Sequence, residues 1–287
     1  MEDIMNGDHA NKFVKKFSEI TQDDILLVGG KGLSLGIMKN NGIPVPDGFV
    51  VTNSVYKDYS DSEIPREVIE EILKAFDDLQ VECVAVRSSA ESEDSTKNSW
   101  AGQLDSFLFV KKENLIESIK KCWLSLKSDR ARAYIQQNNL SEGQKMAVVV
   151  QKMIDSKKSG VMFTANPINK NTEEMIIESV YGLGELLVQG IVTPFNYVID
   201  KSSLALKSTS PSDQEEMLVY QDNKIKEVDV PPSFSKETNL SEEELQKLAK
   251  IGKQVEEFYK VPQDIEWVMD GNNFLIVQSR PITTLNI

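Results

Sequence analysis

The stretch VPQDIEWVMDGNNFLIVQSRP, residues 261–281, alternates polar and apolar side chains on either side of a DGNN turn. That is the pattern of two antiparallel strands with one packed face. Asp264 and Glu266 fall on one face of the first strand with Ile265 and Trp267 behind them, and Gln278 and Arg280 share one face of the return strand. Carboxylates and an amide oxygen gathered on one sheet face are the ligand type a divalent cation takes. Whether the four side chains meet depends on register, because a slip of one residue turns a whole face over. A three-residue loop, Gly271 to Asn273, sets Glu266 opposite Gln278 and Asp264 opposite Arg280, whereas a two-residue loop sets Glu266 against apolar Val277. The three-residue loop is expected. An edge hairpin with a solvated polar face would carry the same pattern, so the other stretches must decide.

Working back from the hairpin, TNLSEEELQKLAKIGKQVEEFYK (residues 238–260) opens with a capping box, Ser241 and Glu244, and carries the apolar stripe Leu245, Leu248, Ile251, Val255, Phe258 of a long helix. QDNKI (221–225) marks a β-hairpin. EMIIESV (174–180) reads as a strand ending near Glu178, and GLGE turns into a short helix over Glu185 to Gln189 before a strand at Asn196 to Asp200. MAVVVQKM (146–153) and SGVMFTANP (159–167) are two buried strands, expected to form a hairpin through the charged turn Asp155 to Lys158, with Gln151 to Met153 bordering an apolar slot.

In the first half, DDILLVGGKGLSLGIMKNNG (23–42) reads as a strand over Ile25 to Val28, a glycine turn, and a helix whose N-terminus carries Lys31. Backbone amides, helix dipole and lysine together favour an anion. The spacing is not that of a Walker loop, and a helix cap with an exposed lysine fits equally. Helical spacing over Glu63 to Leu79 is followed by a buried strand, Cys83 to Val86, with Arg87 at its end facing the long polar segment Ser88 to Gln103. A serine-rich loop of that length opposite an arginine suits phosphate recognition. Leu115 to Leu126 and Arg130 to Gln137 form amphipathic helices with Trp123 and Tyr134 in the core.

At 287 residues with 40% hydrophobic and 27% charged residues, the chain suits one large or two modest domains. A net charge of −13 argues against a nucleic-acid surface, while a few cations in a cleft still accommodate a nucleotide. No stretch has signal-peptide or membrane-spanning character, and Cys83 and Cys122 read as buried thiols, so a cytoplasmic protein is expected. His9, the one histidine, sits in a polar leader.

Taken together, GGKGLSLG, VAVRSSAESED, SWAGQLDS, VVVQKMI, SGVMFTANP, GLGE, DIEW and VQSRP resemble the ordered motifs of the N-terminal ATP-binding domain of the phosphoenolpyruvate synthase, pyruvate phosphate dikinase and rifampicin phosphotransferase family. The resemblance runs from about Phe17 to Ile282. It implies an α+β fold of the ATP-grasp type, with a leader (1–16), an N-terminal subdomain (17–140) and a C-terminal subdomain (141–287) clasping ATP and Mg²⁺. By matching motifs, Lys31 and Arg87 would bind phosphates, and the loop of Ser99, Gly102 and Gln103 would close over them. Gln151 and Met153 would line the adenine, and Glu178 would meet the ribose. Glu266 and Gln278 would hold the metal with Asp264 nearby, and Arg280 would stabilise transition-state charge. Trp100 stands where the family more often has Phe. The family's swivelling domain with its catalytic histidine is missing from these 287 residues, so that histidine is expected in trans, unless the chain is a fragment or the activity is absent. The expected activity is a dikinase-type phosphotransfer from ATP, with a non-catalytic ATP-binding module as the alternative.

Overall fold

The computed structural model describes residues 13–60, 62–90, 104–138 and 145–285. Its class is α+β, as expected. The first half supplies β1 (Val14–Lys16), α1 (Ile25–Asn40), β2 (Gly48–Val51), α2 (Asn53–Tyr59), α3 (Arg66–Asp78), β3 (Val84–Ala90), β4 (Ser106–Val110), α4 (Leu115–Ser125), α5 (Asp129–Gln137) and β5 (Met146–Lys152). These strands form one sheet in the order β1-β2-β5-β3-β4. The second half adds β6 (Lys158–Phe163), β7 (Glu174–Tyr181), α6 (Glu185–Val188), β8 (Phe195–Asp200), β9 (Leu206–Ser210), a separate hairpin of β10 (Glu216–Gln221) and β11 (Lys224–Asp229), α7 (Glu242–Tyr259), β12 (Gln263–Asp270) and β13 (Asn273–Pro281). The second sheet runs β13-β12-β6-β7-β8-β9.

Strand alternation assigns each sheet its faces. Val84, Val86 and Ala90 of β3, with Met146, Val148 and Val150 of β5, pack on the side of α3 and α4 around Trp123, Ile72 and Ile119. On the opposite face Ala147 and Val149 join a second core that continues through Leu35 and Met38 of α1 to Met162, Trp267 and Ile276 of the second sheet and Leu245, Leu248 and Val255 of α7. Helix α1 packs against β3, β5 and β13. It thus ties the two sheets together, and the polar face of β12 and β13 is left towards the space between them.

Several local expectations are corrected. Residues Ile25–Val28 are helical, not a strand, and form the first turns of α1, interrupted at Gly29 with φ 70° and ψ 174°. A four-residue apolar run does not by itself distinguish the two. Here Leu26 and Leu27 face solvent while Val28 is buried, a one-sided burial that a turn of helix provides. Strand β3 runs on through Ser88–Ala90 because those residues pair with Met146–Val148 of β5, which puts Arg87 mid-strand. Strands β5 and β6 do not form a hairpin: β5 lies between β2 and β3, and β6 lies between β12 and β7. The chain therefore passes from one sheet to the other through Met153–Lys157, although β5 lies beyond residue 140. Glu178 is likewise inside β7 rather than at its end. Cys122 is buried but Cys83 only partly so.

The closing hairpin reaches the expected pairing by a different device. Its loop holds two residues, since Asp270 pairs with Asn273, yet Glu266 still faces Gln278 and Asp264 faces Arg280. The register shifts between Glu266 and Trp267, where Trp267 pairs with Ile276. Val277 is thus an extra residue, a β-bulge that re-aims the strand beyond it. The capping box of Ser241 and Glu244 and the helix it starts are as expected. So is the β10–β11 hairpin, whose tip residues Asp222 and Asn223 take φ of 53° and 59°, the backbone a two-residue turn of this kind requires.

Candidate functional site

A cavity of about 400 Å³ lies between the sheets, lined from the first by Lys31, Arg87 and Gln151 and from the second by Glu266, Gln278 and Arg280. Met153 and Glu185 also border it. Each group is aimed by local structure. Gly29 takes a positive φ at a spot where a Cβ would lie 2.3 Å from the Ser89 carbonyl oxygen, so only glycine fits the break that restarts the helix at Lys31. Ser89 Oγ donates to the Val28 carbonyl (2.7 Å) and accepts from Gly32 N (3.0 Å), pinning this turn to β3. Lys31 is 5% exposed, and its Nζ donates to the Ser88 carbonyl at 2.6 Å.

Arg87 spans the cleft. From β3 it donates through Nη1 to the Val277 carbonyl (2.5 Å) and through Nη2 to Gln278 Oε1 (2.6 Å) and Glu266 Oε2 (3.3 Å). The bulge explains the first of these bonds, because an extra residue takes its carbonyl out of the ladder. Arg280 Nε and Nη2 hold Asp264 Oδ2 at 2.8 and 2.7 Å. Asp264 is therefore ion-paired next to the Glu266–Gln278 pair rather than joined with it.

Burial raises the carboxyl pKa values around these groups. Burial raises the carboxyl pKa of Asp264, with Arg280 opposing. Burial also raises Glu178, and the nearby Asp264 adds to it. Glu185 is raised by burial and by Glu266, with its own backbone and Arg87 opposing, and its Oε2 has no hydrogen-bond partner. An added cation would relieve all three. Among the described residues no cluster of three or more His, Cys, Asp or Glu side chains can hold a metal. Two hard oxygens, from Glu266 and Gln278, nevertheless converge on one guanidinium nitrogen, Nη2 of Arg87. That set fits Mg²⁺, which takes one or two carboxylates and completes its shell with phosphate and water.

The remaining expected positions divide. Gln151 is buried, and its Nε2 donates to the Pro46 carbonyl at 3.3 Å. The N–H groups of Lys152 and Met153 bond the carbonyls of Asp47 (2.7 Å) and Cys83 (3.3 Å), so a base edge here would meet other groups of the segment. Glu178 shares the face of Glu266, two strands away through Val161. Ser99, Gly102 and Gln103 lie outside the described residues, as does His9. Glu185 was not expected in the site. Its signal was a carboxylate directly after the GLG turn with apolar neighbours on both sides, a context that buries it. No helix among the described residues is long and apolar enough to cross a membrane.

Residues 25–63 and 59–287 match the model of the family described as "Pyruvate phosphate dikinase, AMP/ATP-binding domain". A probable phosphoenolpyruvate synthase of Archaeoglobus fulgidus is 39% identical over 93% of this chain and 41% of its own length. The rifampicin phosphotransferase of Bacillus cereus is 36% identical over 96% of this chain and 36% of its own length. The chain thus spans well under half of these relatives. The crystal structure of D-alanine–D-alanine ligase from Bacillus anthracis superposes with a TM-score of 0.41 and 12% identity, over 89% of this chain and 57% of that one, a likeness too distant to bear on the site.

Proposed function

The chain belongs to the pyruvate phosphate dikinase AMP/ATP-binding domain family, and from that premise we propose that its cleft takes ATP with Mg²⁺ and delivers the β-phosphoryl group to a histidine on a separate domain or protein, leaving AMP. The observation that carries this reading is the convergence of Lys31, Arg87 and Arg280 with Glu266 and Gln278 on one cavity between the two sheets. Phosphoryl transfer asks a protein mainly for position and charge, and cations facing a carboxylate and an amide across a cleft supply both. Lys31 and Arg87 hold phosphate oxygens from the first sheet. Glu266 and Gln278 hold the metal from the second, with Asp264 keeping Arg280 turned towards the transferred group. Bound Mg²⁺ supplies neutralisation of the phosphate oxygens. Gln151 and Met153 border the adenine, and Glu178 reaches the ribose.

Leaving AMP with the β-phosphoryl on histidine breaks both anhydride bonds, so the terminal phosphoryl goes to a second acceptor, water or inorganic phosphate. The sequence contains one histidine, His9, outside the described residues, so the acceptor histidine of this reading stands on a separate domain or protein. The proposed setting is the cytoplasm. The test mixes this chain with MgATP and a separately produced histidine-bearing domain of a relative. Acid-labile phosphohistidine and AMP are expected. ATP that is bound and remains unconsumed would overturn the transfer. Undiminished ATP binding in the combined Lys31→Ala, Arg87→Ala, Glu266→Ala variant would overturn the site.

A further inference from the structure

Arg87 already makes the contacts that a metal ion at Glu266 and Gln278 would need. Its Nη2 lies 2.6 Å from Gln278 Oε1 and 3.3 Å from Glu266 Oε2, and its Nη1 lies 2.5 Å from the Val277 carbonyl. Mg²⁺ binds oxygen at roughly 2.1 Å. An ion bound to the same two side-chain oxygens on the side that faces Arg87 would therefore crowd the guanidinium. Two cations at that distance repel strongly in a partly buried site, so the arginine and the metal exclude one another.

We propose that Arg87 is a resident counter-cation of the metal pair, which a polyphosphate must draw away before a divalent ion can bind. This rests on the reading of the cleft as an ATP and metal site. The three bonds explain why Arg87 waits where it does. The bulge at Val277 turns a backbone carbonyl towards it, Gln278 offers an amide oxygen, and Glu266 a charge. A triphosphate entering beside Lys31 offers more negative charge than Glu266 alone, and a bidentate fork suits phosphate as well as carboxylate. Once Arg87 has turned to the phosphate, Glu266 and Gln278 face a vacated position next to the same phosphate. Metal and triphosphate then bind with positive coupling, and by linkage each strengthens the other equally. Because Arg87 belongs to the first sheet and its three partners to the second, the exchange also transfers one bridge across the cleft from protein to ligand.

The experiment titrates Mn²⁺ into the full chain by electron paramagnetic resonance, with and without tripolyphosphate or a non-hydrolysable ATP analogue. It is repeated on Arg87→Gln and Arg87→Lys, with melting curves to confirm folding. Wild type should bind Mn²⁺ weakly alone and more tightly with the polyphosphate. Arg87→Gln should bind Mn²⁺ alone about tenfold more tightly, with most of the coupling lost, and its affinity for the Mn²⁺-bound analogue should fall. Arg87→Lys keeps the charge and should stay close to wild type for Mn²⁺ alone. Mn²⁺ affinity unchanged or weaker in Arg87→Gln, with the analogue still bound by wild type, overturns the counter-cation and leaves the ATP site standing. If wild type binds neither the analogue nor Mn²⁺ with it, both the counter-cation and the ATP site are overturned. If Arg87→Gln fails to fold, the sign of the wild-type coupling decides, and zero or negative coupling overturns the proposal.

Discussion

Glu266 and Gln278 stand directly opposite one another although the hairpin that joins them turns in two residues. The extra residue Val277 makes up the difference, and its carbonyl accepts from Arg87 at 2.5 Å. Deleting Val277 should leave every other pair of the hairpin in register, since Trp267 would still meet Ile276 and Glu266 would still meet Gln278. What disappears is one of the three acceptors of Arg87. A deletion variant with a melting point near wild type and tighter Mn²⁺ binding in the absence of nucleotide is the expected outcome. A collapse of folding would show that the bulge is needed for the sheet itself.

Lys31 is a buried amine held by the Ser88 carbonyl. Burying an ammonium costs free energy, which its hydrogen bonds only partly return. Lys31→Met keeps most of the side-chain volume without the charge. It should weaken ATP binding at least about tenfold, the scale of one charge-assisted bond, while the ligand-free protein melts at the same temperature or higher. Calorimetric titration and thermal scanning of the same sample separate the two. Lowered stability with unchanged affinity would assign Lys31 to the fold instead of the ligand.

The β10–β11 hairpin joins the two halves through aromatic stacking. Phe109 of β4 and Tyr220 of β10 stack with centroids 3.8 Å apart and planes within 4° of parallel, while Lys111 Nζ donates to Asn223 Oδ1 at 2.9 Å. Phe109 sits at φ 52°, a conformation an aromatic residue adopts only when its surroundings hold it there. Tyr220→Ala should cost about 1 kcal/mol beyond the lost area, read as a lower urea midpoint. A Leu substitution should recover part of it, and Ala and Leu variants that both match wild type would dismiss the contact.

Much of this architecture was legible because it follows from alternation and capping. Ile265 and Trp267 against Asp264 and Glu266, and Ser241 with Glu244, each specify a face or an end locally. What escaped reading depends on partners distant in sequence. Arg87 looked terminal because serines follow it, yet Ser89 is fully buried by bonding to Val28 and Gly32, which lets β3 continue. Val277 differs in no chemical respect from its apolar neighbours, so the bulge left no mark in the residue types. The apparent hairpin of β5 and β6 failed for a similar reason: two apolar strands joined by a charged turn do not reveal that β2 and β3 claim one of them and β7 and β12 the other. Glu185 combined a carboxylate with an apolar setting, a conflict of local rules of the kind that points to a functional position.

That conflict gives Glu185 a testable pH signature. Its carboxyl is raised above the ordinary value of 4.5, mainly by burial and further by Glu266. The folded chain therefore holds its proton to higher pH than the unfolded chain does, and stability falls as pH rises between the two values. Above the raised value the destabilisation is complete, and below 4.5 it vanishes because both states are protonated. Glu185→Gln mimics the protonated form at every pH. The variant should thus match wild type in acid and become progressively more stable than wild type as the pH rises towards neutrality. Asp264 and Glu178 are raised in the same sense, so both proteins lose stability with rising pH, and only the difference between them isolates Glu185. Melting temperatures of the metal-free proteins from pH 4.5 to 8, in the presence of a chelator, provide the measurement. A difference that is constant with pH would mean that Glu185 is not desolvated in the folded chain. A variant that instead becomes progressively less stable than wild type as the pH rises would place a positive partner beside the carboxylate.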